Sequence, residues 1–143
     1  MNEEHAYRKL KVYEKATNLV VRVYALLRTI PKEEQYALSD QLRRAVVSIA
    51  SNIAEGMGRI SQKDRAHFLE IAYGSLMETN CQLEIAKKLG YINETELQEI
   101  DNECVEIARM LSGLRVSLLN SGKPREESGE DKSALDSKLL TLD

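Results

Sequence analysis

The chain has 143 residues and a formal net charge of -3, with 43% hydrophobic and 30% charged residues. This hydrophobic content is too high for a chain that is disordered throughout, and seven glycines with two prolines are too few for the many turns of a β-sandwich. A single domain built from long helices is therefore expected.

The first predicted helix, over about 10–29, carries two apolar seams that run side by side. The first seam contains Leu10, Tyr13, Thr17, Val20, Tyr24 and Leu27, and the second contains Val12, Ala16, Leu19, Val23, Leu26 and Ile30. Steps of three and four residues keep each seam on one face of the helix. One seam can therefore face the domain core while the other faces a partner. Pro31 ends the helix, because the residue before a proline is driven out of the α region.

The second helix is predicted over about 38–57, where Gly56 and Gly58 are expected to break it. The third begins at Ser61, which resembles the first residue of a capping box with the acidic residue three positions later. Gly90 is placed to end this helix in the left-handed backbone conformation.

The fourth helix has the clearest pattern, because an unbroken heptad repeat runs from Leu97 to Leu118. Asn93 and Glu96 fit its N-terminal cap. Short connections make consecutive helices antiparallel neighbours. The sequence thus predicts an all-α fold, an antiparallel up-down four-helix bundle over residues 1–121, followed by a polar, disordered tail over residues 122–143.

Candidate catalytic and metal-ligating residues are scarce. A di-iron bundle needs Glu-x-x-His motifs from two helices, but neither His5 nor His67 follows a glutamate by three positions. No glycine-rich phosphate-binding loop occurs, and Cys81 and Cys104 form no CxxC motif, so we expect reduced core cysteines. We therefore predict no catalytic residue, no metal site and no cofactor, and hence a protein that is not an enzyme.

The segment Met1–Lys11 is polar and lacks the apolar core of a signal peptide. No stretch of the sequence approaches the roughly 18 apolar residues that span a bilayer. A cytoplasmic location without membrane contact is expected.

A line of polar residues follows the second helix at helical spacing: Gln41, Ser48, Asn52, Glu55 and Arg59. One interpretation is a solvated face with an ion pair between Glu55 and Arg59, which are four residues apart. The other is a polar seam buried against a neighbouring helix or subunit, where each polar group needs a partner. The sequence leaves both open.

The same region resembles the four-helix-bundle proteins of the 23S rRNA intervening sequence. The resemblance is carried by residues 10–13, 30–38, 41–45, 48–56, 68–69, 74–75 and 89–92, and Asn-Ile-Ala-Glu-Gly at 52–56 is its most specific part. It covers roughly residues 7–120. It implies a four-helix bundle that assembles as a ring-shaped homopentamer, and kinship with the accessory proteins of diversity-generating retroelements, which bind a reverse transcriptase and its RNA.

Charge is distributed unevenly along the chain. Residues 8–65 contain twelve Lys and Arg against six Asp and Glu, whereas residues 66–121 contain four against nine. In an up-down bundle one end collects the candidate nucleic-acid-binding residues Lys11, Lys15, Arg59, Lys63, Arg65 and Arg115, together with Arg8 and Lys9. The opposite end collects the acidic residues Glu94, Glu96, Glu99, Asp101, Glu103 and Glu106.

Two hypotheses explain this distribution, beside a merely solvated surface. In the first, the basic end binds nucleic acid, and a ring that repeats the end gains avidity. In the second, the basic helices of one subunit meet the acidic helices of the next, with Arg43, Arg44, Asn52 and Glu55 at the interface. We predict an RNA-associated accessory protein that acts as an oligomeric ring, with a protein-binding scaffold as the alternative.

Overall fold

The computed structural model describes residues 5–121. It contains four α-helices, α1 (Lys11–Leu27), α2 (Asp40–Met57), α3 (Gln62–Lys88) and α4 (Glu94–Asn120), and one turn of 3-10 helix, Ala6–Lys9, precedes α1. Helix α1 packs beside α2 and α4, and α3 packs beside the same two helices. The predicted all-α four-helix bundle is confirmed.

Contacts between side chains fix the antiparallel directions. Lys15 of α1 meets Glu106 of α4, whereas Arg22, seven residues later in α1, meets Glu99, seven residues earlier in α4. The predicted tail over residues 122–143 lies outside the described part of the chain.

The two seams of α1 have different environments. Every residue of the second seam, from Val12 to Ile30, is buried in the core. In the first seam only Leu27 is buried, while Leu10, Tyr13 and Val20 are half-buried and Tyr24 is 39% exposed. The core therefore takes up the second seam fully, whereas the first seam lies at its edge, with Leu10, Tyr13 and Val20 packed against it.

The connection from α1 to α2 differs from the predicted boundaries. A 3-10 turn, Lys32–Glu34, and a π-helical turn, Gln35–Ser39, precede α2, so this helix starts at Asp40 rather than near Leu38. The wide π turn carries the chain from Pro31 into the axis of α2 and buries Ser39 at the junction.

Gly56 does not break α2, which is a correction to the sequence prediction. It lies inside the helix and is buried, while Gly58 forms the C-terminal cap and its N–H donates to the carbonyl of Glu55 (3.1 Å). The reason is tertiary: a glycine at position 56 lets Phe68 of α3 approach the α2 backbone.

Side chains cap both long helices. Oγ of Ser61 accepts from the N–H of Asp64 at the start of α3 (3.0 Å). Asn93 and Glu96 form a complete capping box at the start of α4, with bonds of 2.8 and 3.1 Å. Gly90 follows α3 with φ of +84°, a conformation that disfavours a side chain. These predicted boundaries are therefore confirmed by their hydrogen bonds.

Candidate functional site

The predicted candidate residues lie on two surfaces of the bundle, one at an end and one along its side. The end is formed by the first turns of α1 and α3 and the last turns of α2 and α4. Nε2 of Gln62, in the first turn of α3, donates to Oγ of Ser121, immediately after α4 (2.9 Å). The structure therefore brings the predicted cations near these termini to one end.

Five of the cations near this end make no ion pair within residues 5–121. We call them the basic end: Arg8, Lys9, Lys11, Lys63 and Arg65. Lys11 and Lys63 are exposed, and each lies in the first turn of its helix. Arg65 is half-buried and donates to the carbonyl of Arg59 (2.6 Å) and to Oε1 of Gln62 (3.2 Å). Arg65 thus has no acidic partner within residues 5–121, while its guanidinium is held against the α2–α3 connection.

The other three predicted nucleic-acid-binding residues have acidic partners. Nζ of Lys15 lies 2.8 Å from Glu106 of α4. Arg59 pairs with Glu55 at 3.1 Å and lies over the ring of Phe68, 4.5 Å from its centre. Arg115 lies 3.9 Å from Glu70. Their charges are partly offset within the chain, so the basic end is centred on the cations of α1 and α3.

Part of the acidic face of α4 is also neutralised within the chain. Arg22 of α1 donates to both Glu99 and Glu103 of α4, and Lys15 pairs with Glu106 one turn further along. Three of the acidic residues that could have met a neighbouring subunit therefore bind α1 of their own chain. The sequence could not show this, because it depends on the register between α1 and α4.

The polar residues along α2 fit both interpretations, each over a different part of the helix. Ser48 meets Ser75 of α3 (2.8 Å), and Asn52 donates to the carbonyl and the hydroxyl of Ser48 (2.8 and 2.9 Å). Ser48 and Asn52 thus form a half-buried polar seam against α3. Glu55 and Arg59, one turn later, form the exposed ion pair of the other interpretation.

Arg43 and Arg44, predicted at a subunit interface, both contact Asp40 within α2. The distances are 3.2 Å for Arg43 and 3.9 Å for Arg44. Arg43 also lies over the ring of Tyr24 of α1, 5.9 Å from its centre. This contact joins Arg43 to the first seam of α1.

An apolar surface surrounds that contact. We call it the α1–α2 apolar surface, and it comprises Tyr13, Val20, Val21, Tyr24 and Val47. Val21 is 70% exposed, and Tyr24 and Val47 are each 39% exposed. Val47 was not predicted from the sequence. The signal that could have identified it is an apolar residue beside the core positions of α2 rather than among them.

Nothing within residues 5–121 groups three or more His, Cys, Asp or Glu side chains in a way that could hold a metal ion. An open groove of about 210 Å³ between α3 and α4 is lined mainly by apolar residues. Cys104 is buried, which raises the pKa of its thiol to about 12, with smaller contributions from Asp101 and Glu103. A thiol with so high a pKa is a poor nucleophile at neutral pH. None of the four helices described is both long and apolar enough to cross a membrane.

Comparison with known proteins identifies relatives at the level of the family. The family model described as 23S rRNA-intervening sequence protein matches residues 8–113. Among solved structures, a protein with unknown function from the S23 ribosomal protein family of Bacteroides thetaiotaomicron is similar, with 28% sequence identity and a TM-score of 0.68. The match covers 73% of this chain and 97% of that one. No curated protein sequence matches the chain.

Proposed function

This chain belongs to the 23S rRNA-intervening sequence protein family, and we propose that it acts as an accessory protein that binds RNA through its basic end, without catalysing a reaction. The observation that carries the proposal is the group of cations without an ion pair at one end of the bundle. Lys11 and Lys63 are exposed, and Arg65 is held beside them by hydrogen bonds. Exposed cations in a rigid arrangement favour phosphate groups, and release of counterions drives the binding.

Binding by one copy would be weak, because each basic end offers only a few phosphate contacts. Repetition of the end in a ring of identical copies would raise the overall affinity through avidity. The α1–α2 apolar surface supports assembly, since it joins exposed apolar side chains of two helices beside Arg43. We propose that this surface meets a second copy in a homopentameric ring, with Arg43 and Arg44 at or near the contact.

The test is binding of a structured RNA across a salt series, with the mass of the same sample measured by light scattering. Each phosphate contact contributes about 0.9 to the slope of log affinity against log salt. The five cations of each basic end, repeated in an oligomer, predict an affinity that falls steeply between roughly 50 and 200 mM salt. An oligomeric protein that fails to bind RNA at the lower salt concentration would contradict the RNA-binding role.

The second candidate function is a scaffold that binds only proteins, such as a reverse transcriptase or another partner. The α1–α2 apolar surface favours it, because exposed apolar patches commonly mark protein contacts. Reversal of charge at Arg43 and Arg44 tests whether the α1–α2 apolar surface serves assembly of identical copies. If assembly depends on those arginines, the variant loses mass in light scattering, whereas a protein that uses them only within α2 keeps its mass.

A further inference from the structure

The chain leaves the described structure at its basic end. Ser121 is held to Gln62 by a hydrogen bond of 2.9 Å, and Gln62 immediately precedes Lys63 of the basic end. Residues 122–143 continue from this point. Whatever conformation they adopt, they begin beside the cations of α3.

The sequence of this continuation contains a short acidic cluster. We define it as residues 126–131, in which four of six positions are acidic: Glu126, Glu127, Glu130 and Asp131. Lys123 and Arg125 precede it. The cluster is therefore the first concentration of negative charge that follows the end of α4.

The basic end has little negative charge of its own. Glu14 and Asp64 are the nearby carboxylates that form no ion pair within the described ranges of α1 and α3, against the five cations of the basic end. Cations that crowd one end of a domain repel one another, and an acidic segment held close by would relieve this repulsion. Outside the described residues, Glu3 and Glu4 precede the basic end in sequence, and the acidic cluster, with four carboxylates, is the larger group.

The chain is long enough for contact. Glu126 lies five positions after Ser121, and Asp131 lies ten positions after it. At about 3.4 Å per residue these spans reach at most roughly 17 and 34 Å. Because neighbouring helices lie about 8–10 Å apart, the cluster can reach every helix terminus at this end of the bundle.

We propose that the acidic cluster, residues 126–131, binds the basic end and competes there with the phosphates of RNA. The segment acts as a built-in substitute for the ligand, and RNA must displace it. The competition, but not the contact, rests on the proposed function of the basic end. A tethered segment has an effective concentration on the order of millimolar, so even a contact of millimolar affinity would cover about half of the molecules.

The contact is tested first without RNA, by zero-length carbodiimide cross-linking of the full chain followed by mass spectrometry. We expect links from Lys11 or Lys63 to the carboxylates of 126–131 at low salt, and their loss at roughly 500 mM salt, where exposed charges are screened. Lys15 and Glu106, 2.8 Å apart, provide the internal positive control. A mixture of isotope-labelled and unlabelled chains shows whether the segment binds its own copy or a neighbouring one.

The competition is tested by RNA binding of a variant with Glu126→Gln and Glu127→Gln. Its matched control carries Glu33→Gln and Glu84→Gln, two exposed positions at the opposite end of the bundle, so that both variants change the net charge equally. We expect the first variant to bind RNA about twofold more tightly than the control at 50 mM salt. Addition of Glu130→Gln and Asp131→Asn should increase the difference, and high salt should abolish it.

The outcomes separate this inference from the proposed function. Tail cross-links together with tighter RNA binding by the cluster variant support both. RNA binding that is equal in all variants, without tail cross-links, overturns the inference and leaves the proposed function standing. Tail cross-links in a protein that never binds RNA support the contact and overturn the function. Cross-links only between chains would show that the cluster joins copies, which would overturn its role as a cover for its own basic end.

Discussion

Gly56 of α2 lies so close to Phe68 of α3 that a Cβ atom added at position 56 would come within 2.7 Å of the Phe68 Cβ. The same added atom would lie 3.3 Å from the carbonyl oxygen of Arg65. Both neighbours are fixed by the backbone of α3, so neither can rotate away. This contact sets the separation of α2 and α3 at the basic end, next to the residues that we propose bind RNA.

The first prediction concerns this glycine. Gly56→Ala should destabilise the fold by about 1–3 kcal/mol, because the added methyl group forces the two helices apart. Gly74→Ala is the control, since a Cβ atom added at Gly74 in α3 would have no neighbour within 4 Å. That change should stabilise the helix by up to about 1 kcal/mol, because alanine has the higher helix propensity. Urea unfolding measures both, and equal stability of the two variants would show that the contact at Gly56 is not tight.

The second prediction concerns assembly through the α1–α2 apolar surface. Val47→Asp should reduce the mass measured by light scattering. Burial of an aspartate at a subunit contact costs more free energy than the valine contact contributes to association. Val105→Asp on α4 is the matched control, since Val47 is 39% and Val105 46% exposed in the single chain. If both variants keep the mass of the wild type, the α1–α2 apolar surface does not mediate assembly.

The third prediction concerns the buried thiol of Cys104. Burial raises its pKa from 9.0 to about 12, so the folded state retains the thiol proton at pH values where the unfolded state has lost it. The resulting stability is fully present below about pH 9 and is lost as the pH rises toward 12. In this range each pH unit should lower the free energy of unfolding of the wild type by up to about 1.4 kcal/mol more than that of Cys104→Ala.

Denaturant unfolding at several pH values checks the thiol prediction. Cys81 is exposed, so Cys81→Ala should keep the pH dependence of the wild type. Parallel stability curves for wild type and Cys104→Ala would contradict the assignment. In the folded protein, a thiol reagent near neutral pH should modify Cys81 and leave Cys104 intact.

The sequence predicted those features that depend on local pattern. A seam of α1 that faces the core and the capping box of Asn93 and Glu96 were both confirmed, because periodicity and capping act over a few residues. The role of Gly56 was mispredicted, since a helix-breaking preference is local whereas the approach of Phe68 is a tertiary effect.

The composition of the candidate site was less predictable. The topology alone brought Lys11 and Lys63 to one end, which the order of the helices predicts. The pairing of Lys15 with Glu106 and of Arg22 with Glu99 and Glu103 requires the register of α1 against α4. Apolar seams fix the facing sides of two helices but leave such charge partners open, because several registers bury similar apolar area.

The measurement that most directly tests RNA binding at the basic end compares two charge reversals. One variant carries Lys11→Glu and Lys63→Glu, and its control carries Lys32→Glu and Lys88→Glu. All four lysines are exposed, and each variant changes the net charge by the same amount. Arg65 is left unchanged, because its guanidinium also holds the α2–α3 connection.

Circular dichroism and light scattering first establish that both variants are folded and have equal mass. Affinity for a structured RNA is then measured at about 50 mM salt, where phosphate contacts are strongest. We predict that the Lys11 and Lys63 variant loses at least about tenfold in affinity and has a shallower salt slope, while the Lys32 and Lys88 variant loses much less. Equal losses in the two variants would show that RNA responds only to net charge, and would contradict a binding site at the basic end.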